Sequence, residues 1–314
     1  MLSKKSKIFI AGHKGMVGSA ILRELKKKGY KKIVTINKKK LNLLDQDKVK
    51  NFLKNTKPDY VVIAAAKVGG VLANKKNKAS FLYENLMIQT NLIHCSFMAG
   101  IKNLIFLGSS CIYPKKSKQP IKEKYLLTGP LEETNDAYAI AKISGIKMCQ
   151  EYSNQYKLNY KSLMPTNMFG PNDNYNSENS HFFPALIKKI HKAKVKNKKY
   201  ILIWGNGKVK RELLYVDDFA NACIFFMKNK PKEHFINIGS GIEKSILQYA
   251  KFIMYKLKLE LKIKFDKSRP SGTSRKFLDS SISKKYGWKP KINLDKAFDL
   301  VYKDFLKNKK NLIN

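Results

Sequence analysis

Short apolar runs alternate with longer amphipathic stretches through the first half of the chain, and this alternation predicts the architecture. KIFIA (7–11) opens the series, followed by a glycine turn and a helix over Met16–Lys28. KKIVTI (31–36) and YVVIAAA (60–66) are the next runs, the second set between Pro58 and the pair Gly69–Gly70. A helix over Phe81–Met98 leads to NLIFLGSS (103–110), and a helix over about 137–156 leads to YKSLMP (160–165). Continuous apolar runs of this length suit strands buried on both faces, and the intervening helices supply the cover. The expectation is an α/β protein built on a doubly wound parallel sheet. From Pro165 the segment PTNMFGPNDNYNSENSH is polar and rich in turn formers, so a loop is expected there. A helix over about 182–195, a strand at YILIWG (200–205) and mixed elements follow, with no internal repeat.

Composition narrows the class. A chain of 314 residues, 43% hydrophobic and 11% aromatic, can bury a large core in one or two domains. The longest apolar run, Tyr60–Ala66, is far short of the ~20 residues of a membrane span. The amino terminus, MLSKKSKIFIAG, reads as a first strand and not as a signal peptide. Charge complicates the picture: 63 basic residues face 23 acidic ones, a formal net charge of +40. Such an excess suggests a nucleic-acid binder. However, only Arg23, Arg211, Arg269 and Arg275 are arginines, and the lysines scatter over the whole chain. Readers of bases and phosphates rely on arginine forks. The charge therefore reads as solvated lysine faces that attract small anions, with no specific nucleic-acid partner expected. Cys95, Cys111, Cys149 and Cys223 form no CxxC pair, and no two histidines stand at metal-ligand spacing. Neither a disulfide framework nor a metal site is expected, and a reducing cytoplasm is the default compartment.

Four segments carry candidate chemistry. Gly12, Gly15 and Gly18 form GxxGxxG between the first strand and the first helix, enclosing His13, Lys14, Met16 and Val17. Glycines there let a diphosphate approach the backbone at the positive end of a helix, although a structural turn uses the same residues. The second run ends in Asn37 and then Lys38-Lys39-Lys40, where NAD binders usually place a carboxylate on the ribose 2′-hydroxyl. Lysines would instead welcome a 2′-phosphate, which favours NADPH; a solvated lysine run is the rival reading. Tyr138 and Lys142 stand four apart and share one helical face, so a cationic lysine could lower the phenol's pKa for acid/base work on a carbonyl oxygen. Sixteen tyrosines in this lysine-rich chain should yield about three such pairs by chance, yet this is the only one, and it follows the glycine turn and the segment GSSC. Gly108-Ser109-Ser110-Cys111 closes the NLIFL run, at a strand carboxyl end where open α/β sheets bind ligands. Ser109 could donate to a substrate carbonyl, and Cys111 could accept a proton, although an inert buried cysteine fits that segment as well.

Taken in this order, GxxGxxG, Ser109 and Tyr138-xxx-Lys142 resemble the extended short-chain dehydrogenases/reductases. Longer blocks are more specific: FIAGHKGMVGSAI, AAAKVGG, FLGSSCIYPK, AYAIAKI, MPTNMFGPNDNY, NSHFFPAL, WGNGKVKREL and NIGSG. Together they resemble the GDP-L-fucose synthase family, from Lys7 to the final helix. The resemblance implies a Rossmann-type NADP-binding domain over 1–165 with a returning segment at about 212–240. A smaller substrate-binding domain would comprise 166–211 and 241–314. It also implies a homodimer and a two-step reaction on GDP-4-keto-6-deoxy-D-mannose, 3,5-epimerisation followed by NADPH-dependent 4-reduction. Cys111 would be the base and His181 the acid of the epimerisations. The enolate oxygen would rest on Tyr138 and Ser109, an oxyanion-hole arrangement. Tyr138 would protonate O4, and Lys142 would tune Tyr138 and hold the nicotinamide ribose.

The same match assigns the cofactor lining to Gly12–Gly18, Lys38–Leu41, Leu107–Ser110, Lys142, Pro165, Thr166, Asn167, Met168 and His181. Lys189, Trp204 and Arg211 would hold the GDP-sugar; a core role suits Trp204 equally well from its residue type. The chain departs from the family at RPSGT, where Ser271 replaces the aspartate of a KPDGT-like turn that contacts substrate. A related GDP-keto-sugar or GDP-keto-heptose 4-reductase is therefore the alternative, followed by an idle polyanion binder on the same fold.

Overall fold

Side chains along a strand alternate between its two faces, and both faces of this sheet are buried. In β1 (Ile8–Ala11), Ile8 and Ile10 enter one core while Phe9 and Ala11 enter the other. The computed structural model describes residues 2–175, 180–268 and 273–308. After β1 the chain runs through α1 (Met16–Lys27), β2 (Ile33–Val34), α2 (Gln46–Thr56), β3 (Tyr60–Ile63), α3 (Val71–Lys76) and α4 (Lys78–Met98). It continues through β4 (Asn103–Leu107), α5 (Asp136–Tyr156), β5 (Asn159–Pro165), β6 (Asn167–Phe169), α6 (Phe182–Val195), β7 (Tyr200–Trp204) and β8 (Lys210–Tyr215). The last part is α7 (Val216–Asn229), β9 (Phe235–Ile238), β10 (Glu243–Ser245), α8 (Ile246–Lys256), β11 (Lys262–Asp266), β12 (Arg275–Lys276), α9 (Ser281–Lys285) and α10 (Leu294–Lys307).

The main sheet has the order β2-β1-β3-β4-β5-β9 and every pair in it is parallel. Ile8 pairs with Ile33 on one side and Tyr60 on the other, so the strand order reverses between β1 and β3. That reversal opens a crevice at the carboxyl ends of β1 and β3, the place where open α/β sheets bind ligands. Helices α1 and α7 cover one face through Ile21, Leu25, Phe219 and Phe226. Helices α2, α4 and α5 cover the other through Leu53, Leu92, Ile143 and Ile146. A third core joins α6, α8 and α10 to β7 and β8, with Phe183, Ile203, Tyr249, Ile253, Phe298 and Phe305 buried in it.

Two expectations need correction. KKIVTI contributes only Ile33–Val34 to the sheet, because β2 is an edge strand and Lys31, Lys32 and Thr35 are exposed. The segment expected to be a loop after Pro165 contains β6, which pairs in parallel with β8 through Asn167↔Leu213 and Phe169↔Tyr215. Among the described residues, no helix is long and apolar enough to cross a membrane.

Candidate active site

The glycine turn follows β1, and its three glycines do different work. Gly12 has φ +88°, and a Cβ there would meet the Ala65 backbone nitrogen at 2.6 Å. A Cβ on Gly18 would stand 2.2 Å from Gly12 O, so this glycine lets α1 pack against the turn. Gly15 is the N-cap of α1, and a Cβ there would meet nothing nearer than Gly12 O at 3.5 Å. Gly12 and Gly18 are thus required by the fold, while Gly15 leaves open space in front of a helix N-terminus. That cradle, with the helix's own N–H groups and dipole behind it, fits the diphosphate of a dinucleotide.

The other cofactor candidates are arranged around this cradle in different ways. His13 is half-buried, and desolvation together with Lys14 lowers its pKa. Lys38, Lys39 and Lys40 are all exposed after β2, whereas Leu41 turns its side chain into the core under α2 and α4. Gly108 lets Met164 approach, since a Cβ would stand 2.3 Å from its sulfur. Leu107 and Ser110 are buried beside it. Pro165 ends β5 opposite Ile238. The Thr166 hydroxyl donates to Glu212 O at 3.2 Å, so its side chain is already engaged in the fold. Asn167 and Met168 lie on β6, and Met168 packs on the core under α1 and α7.

The reactive groups converge where β4 ends and α5 begins. Ser109 has extended backbone, and its Oγ accepts from Cys111 N at 3.2 Å, which fixes the turn after β4. Tyr138, in the first turn of α5, stands near enough to Ser109 for the serine hydroxyl to act on the phenol. Lys142, one turn on, donates from Nζ to Leu107 O at 2.8 Å. Its ammonium lies 4.7 Å from the Phe106 ring centroid and 5.8 Å from that of Tyr138. Burial raises the Tyr138 pKa, Cys111 adds to the rise, and the Ser109 hydroxyl opposes it. Burial also lowers Lys142 from 10.5 to about 7. The phenol is therefore not pulled down as the Tyr-Lys spacing suggested. Both groups are desolvated together, and the charge that would lower the phenol is itself suppressed. Tyr138 is held protonated, the state a proton donor needs.

Cys111 is the one partly exposed cysteine; Cys95, Cys149 and Cys223 are buried. Two donors reach its Sγ, Asn135 Nδ2 at 3.4 Å and Lys276 Nζ at 3.6 Å. Asn135 is the N-cap of α5, yet its side chain makes no capping bond. An asparagine at that position usually caps, worth ~0.5–2 kcal/mol; here it turns to the sulfur instead, and its buried Oδ1 has no partner among the described residues. Arg211 stands close enough to interact with Cys111 and Glu132; desolvation lowers its pKa to about 10 against both. His181, the N-cap of α6, also has a lowered pKa, through desolvation first and Lys276 second.

Lys189 of α6 and Trp204 at the end of β7 form a further group. Lys189 Nζ donates to Leu202 O and lies 5.8 Å from the Trp204 ring centroid. Trp204 is 38% exposed, which rules out the core role left open by its residue type. Ser271 lies outside the described residues. Asn135 and Lys276 are the two site residues that sequence reasoning missed: a lysine among 59 carries no signal, and only strand register brings it here.

The profile of the NAD dependent epimerase/dehydratase family matches residues 8–239. The chain is 47% identical to GDP-L-fucose synthase 1 of Arabidopsis thaliana, over 98% of its own length and 95% of the relative's. It is 44% identical to the GDP-L-fucose synthase of Escherichia coli, over 97% of its own length and 98% of the relative's. Among solved structures, a GDP-mannoheptose C4 reductase from Campylobacter jejuni with NADP bound matches at TM-score 0.90 and 37% identity. That match covers 98% of this chain and 100% of the reductase.

Proposed function

The chain belongs to the NAD dependent epimerase/dehydratase family, and we propose that it converts GDP-4-keto-6-deoxy-D-mannose to GDP-L-fucose with NADPH. The observation that carries this reading is the meeting of Ser109, Tyr138 and Cys111 at the end of β4. A reductase acting at C4 alone needs the first two; a thiol beside the phenol adds a proton acceptor.

The chemistry follows from the positions. A ketone at C4 acidifies the C3 and C5 protons. Cys111, as thiolate, takes a proton from one of these carbons, and the C–H electron pair becomes the enolate. Negative charge gathers on O4, where Ser109 and Tyr138 offer hydroxyl donors. Protonated His181 returns a proton to the opposite face of the carbon, which inverts it. When bound, NADPH supplies the hydride that reduces C4. Tyr138, held protonated by burial, gives O4 its proton. Gly12–Gly18 would hold the cofactor diphosphate, Lys38–Lys40 the 2′-phosphate, and Lys142 the nicotinamide ribose. Arg211 grips the substrate diphosphate, and Lys189 and Trp204 hold its nucleotide end. Residues 166–211 and 241–314 form the substrate-binding domain. Tyr83 and Met98 on α4 and Ile140 and Tyr156 on α5 stay exposed, and exposed apolar side chains on these two helices suit a homodimer. The free cysteines suit a reducing cytoplasm.

Turnover in heavy water followed by NMR of the product sugar tests the reading. Wild type should give GDP-L-fucose carrying deuterium at C3 and C5. Cys111→Ser should lose that exchange, and His181→Ala should begin exchange without reaching the fucose configuration. A reduced product with no deuterium at either carbon would replace this reading with a simple C4 reductase, the activity named for the Campylobacter jejuni neighbour.

A further inference from the structure

The β10-β8-β12 sheet places charge on its two faces by strand alternation. Lys276 on β12 is level with Arg211 on β8, and Arg275 is level with Lys210. Glu212 of β8 is level with Glu243 of β10. Residues two apart share a face, so Arg275 and Glu243 lie on one side and Lys276 and Arg211 on the other. On the first side the Arg275 guanidinium clasps Glu243, with Nε 2.9 Å from each carboxylate oxygen. That fork joins the pairing with β8 and the hydrogen bonds between Gln119 and the backbone of Arg275 and Phe277 in fixing β12, and Lys276 on the opposite face points toward the end of β4. There Lys276 Nζ reaches Cys111 Sγ at 3.6 Å. Among the described residues no carboxylate pairs with this ammonium, so its charge is not neutralised locally.

We propose that Lys276 is the positioning residue of the epimerisation step: its ammonium, in contact with Cys111 Sγ, steadies negative charge on the sulfur. This rests on the reading of Cys111 as proton acceptor. Each inversion moves one proton onto sulfur. A cation in contact with the sulfur favours its anionic form. The other groups facing the sulfur have different duties. Tyr138 on α5 is a neutral donor to the substrate oxygen, and Asn135 is an uncharged second donor. Arg211 on β8 acts on Cys111 too, but Nη1 is engaged by Lys210 O at 2.8 Å and Glu132 draws on its charge.

The test needs no substrate. Iodoacetamide labelling of the Cys111 peptide, followed by mass spectrometry at neutral pH, reads how readily the sulfur gives up its proton. Lys276→Met should slow labelling by about tenfold. Lys276→Arg, which keeps the charge, should restore most of the rate. A merely structural lysine would not move this readout in a variant that still binds NADP. Labelling at the wild-type rate in such a Lys276→Met protein overturns the proposal. If Lys276→Met does not fold, wild type decides: Cys111 labelling slower than a cysteine in an unstructured peptide overturns it, and faster labelling supports it. The two readings fail separately. A Lys276 effect on labelling, with C3 and C5 exchange intact in Cys111→Ser, removes Cys111 as the base and leaves the lysine–thiol coupling. Exchange lost in Cys111→Ser, with labelling indifferent to Lys276, does the reverse.

Discussion

Lys142 Nζ donates to Leu107 O at 2.8 Å, tying the second turn of α5 to the last residue of β4. The bond adds a polar tie to the apolar packing of Gly145 and Ile146 on Phe106 that seats this helix on the strand leading to Ser109 and Cys111. It also buries an ammonium, and burial lowers its pKa from 10.5 to about 7.

Burial of Lys142 makes stability depend on pH. Between about 7 and 10.5 the unfolded chain holds a proton that the folded chain does not, so stability rises with pH across that window. The cost is complete below pH 7 and amounts to roughly 5 kcal/mol for such a shift. Losing the bond to Leu107 O would offset about 1–3 kcal/mol of any gain from removing the lysine. Lys142→Met should therefore melt above wild type at pH 7 while turnover collapses, and the advantage should shrink by pH 9.5. Melting curves for both proteins at the two pH values check this; an equal difference at both would mean that the ammonium is not desolvated.

Tyr138→Phe should keep NADPH and GDP-sugar binding and lose ~10²–10⁴-fold in turnover, the usual worth of a positioned general acid. Steady-state kinetics beside direct binding measurements separate the two. Turnover near wild type would remove Tyr138 from the reduction.

The three glycines of the turn should respond differently to alanine. Gly18→Ala forces a Cβ to within 2.2 Å of Gly12 O, and Gly12→Ala adds a left-handed φ to a backbone clash, so both should destabilise the fold. Gly15→Ala meets nothing closer than 3.5 Å and should fold normally. Its methyl group would instead occupy the cradle and weaken NADPH binding. Thermal melts and cofactor titration of the three variants distinguish these outcomes; a Gly15→Ala protein that binds NADPH at wild-type strength would place the diphosphate elsewhere.

Lys38, Lys39 and Lys40 are exposed at the edge of the sheet, beyond β2. Lys38→Glu should weaken NADPH more than NADH, because only NADPH carries a phosphate to repel. Equal loss for both cofactors would show that the cluster is a solvated face.

The sheet was legible because its strands are buried on both sides and so appear as unbroken apolar runs, as in Tyr60–Ile63 and Asn103–Leu107. The edge strand β2 was overestimated for the converse reason: half of KKIVTI faces solvent and local pattern does not mark where pairing stops. β6 was hidden because its three residues are held by a strand more than forty positions away, and no local periodicity records that pairing. In the site, the glycine turn and the Tyr138–Lys142 spacing could be read from the chain, since both depend on short-range geometry. Lys276 and Asn135 could not. They reach Cys111 through the β8–β12 register and through a helix cap that turns away from its own helix.

The return of β9 to the main sheet has a consequence during synthesis. β9 pairs with β5 at residues 235–238, and α7 covers the face that α1 only partly shields. Until the ribosome has passed about residue 240, the nascent amino-terminal lobe carries a bare β5 edge and an apolar face awaiting Phe219, Phe226 and Ile236. The roughly seventy residues between β5 and β9 must emerge before that edge is closed. The lobe built on the main sheet is therefore the first to be started and cannot be finished until β6, α6, β7 and β8 have been made. A truncation before α7 should leave a sticky, chaperone-dependent fragment and not a small working domain.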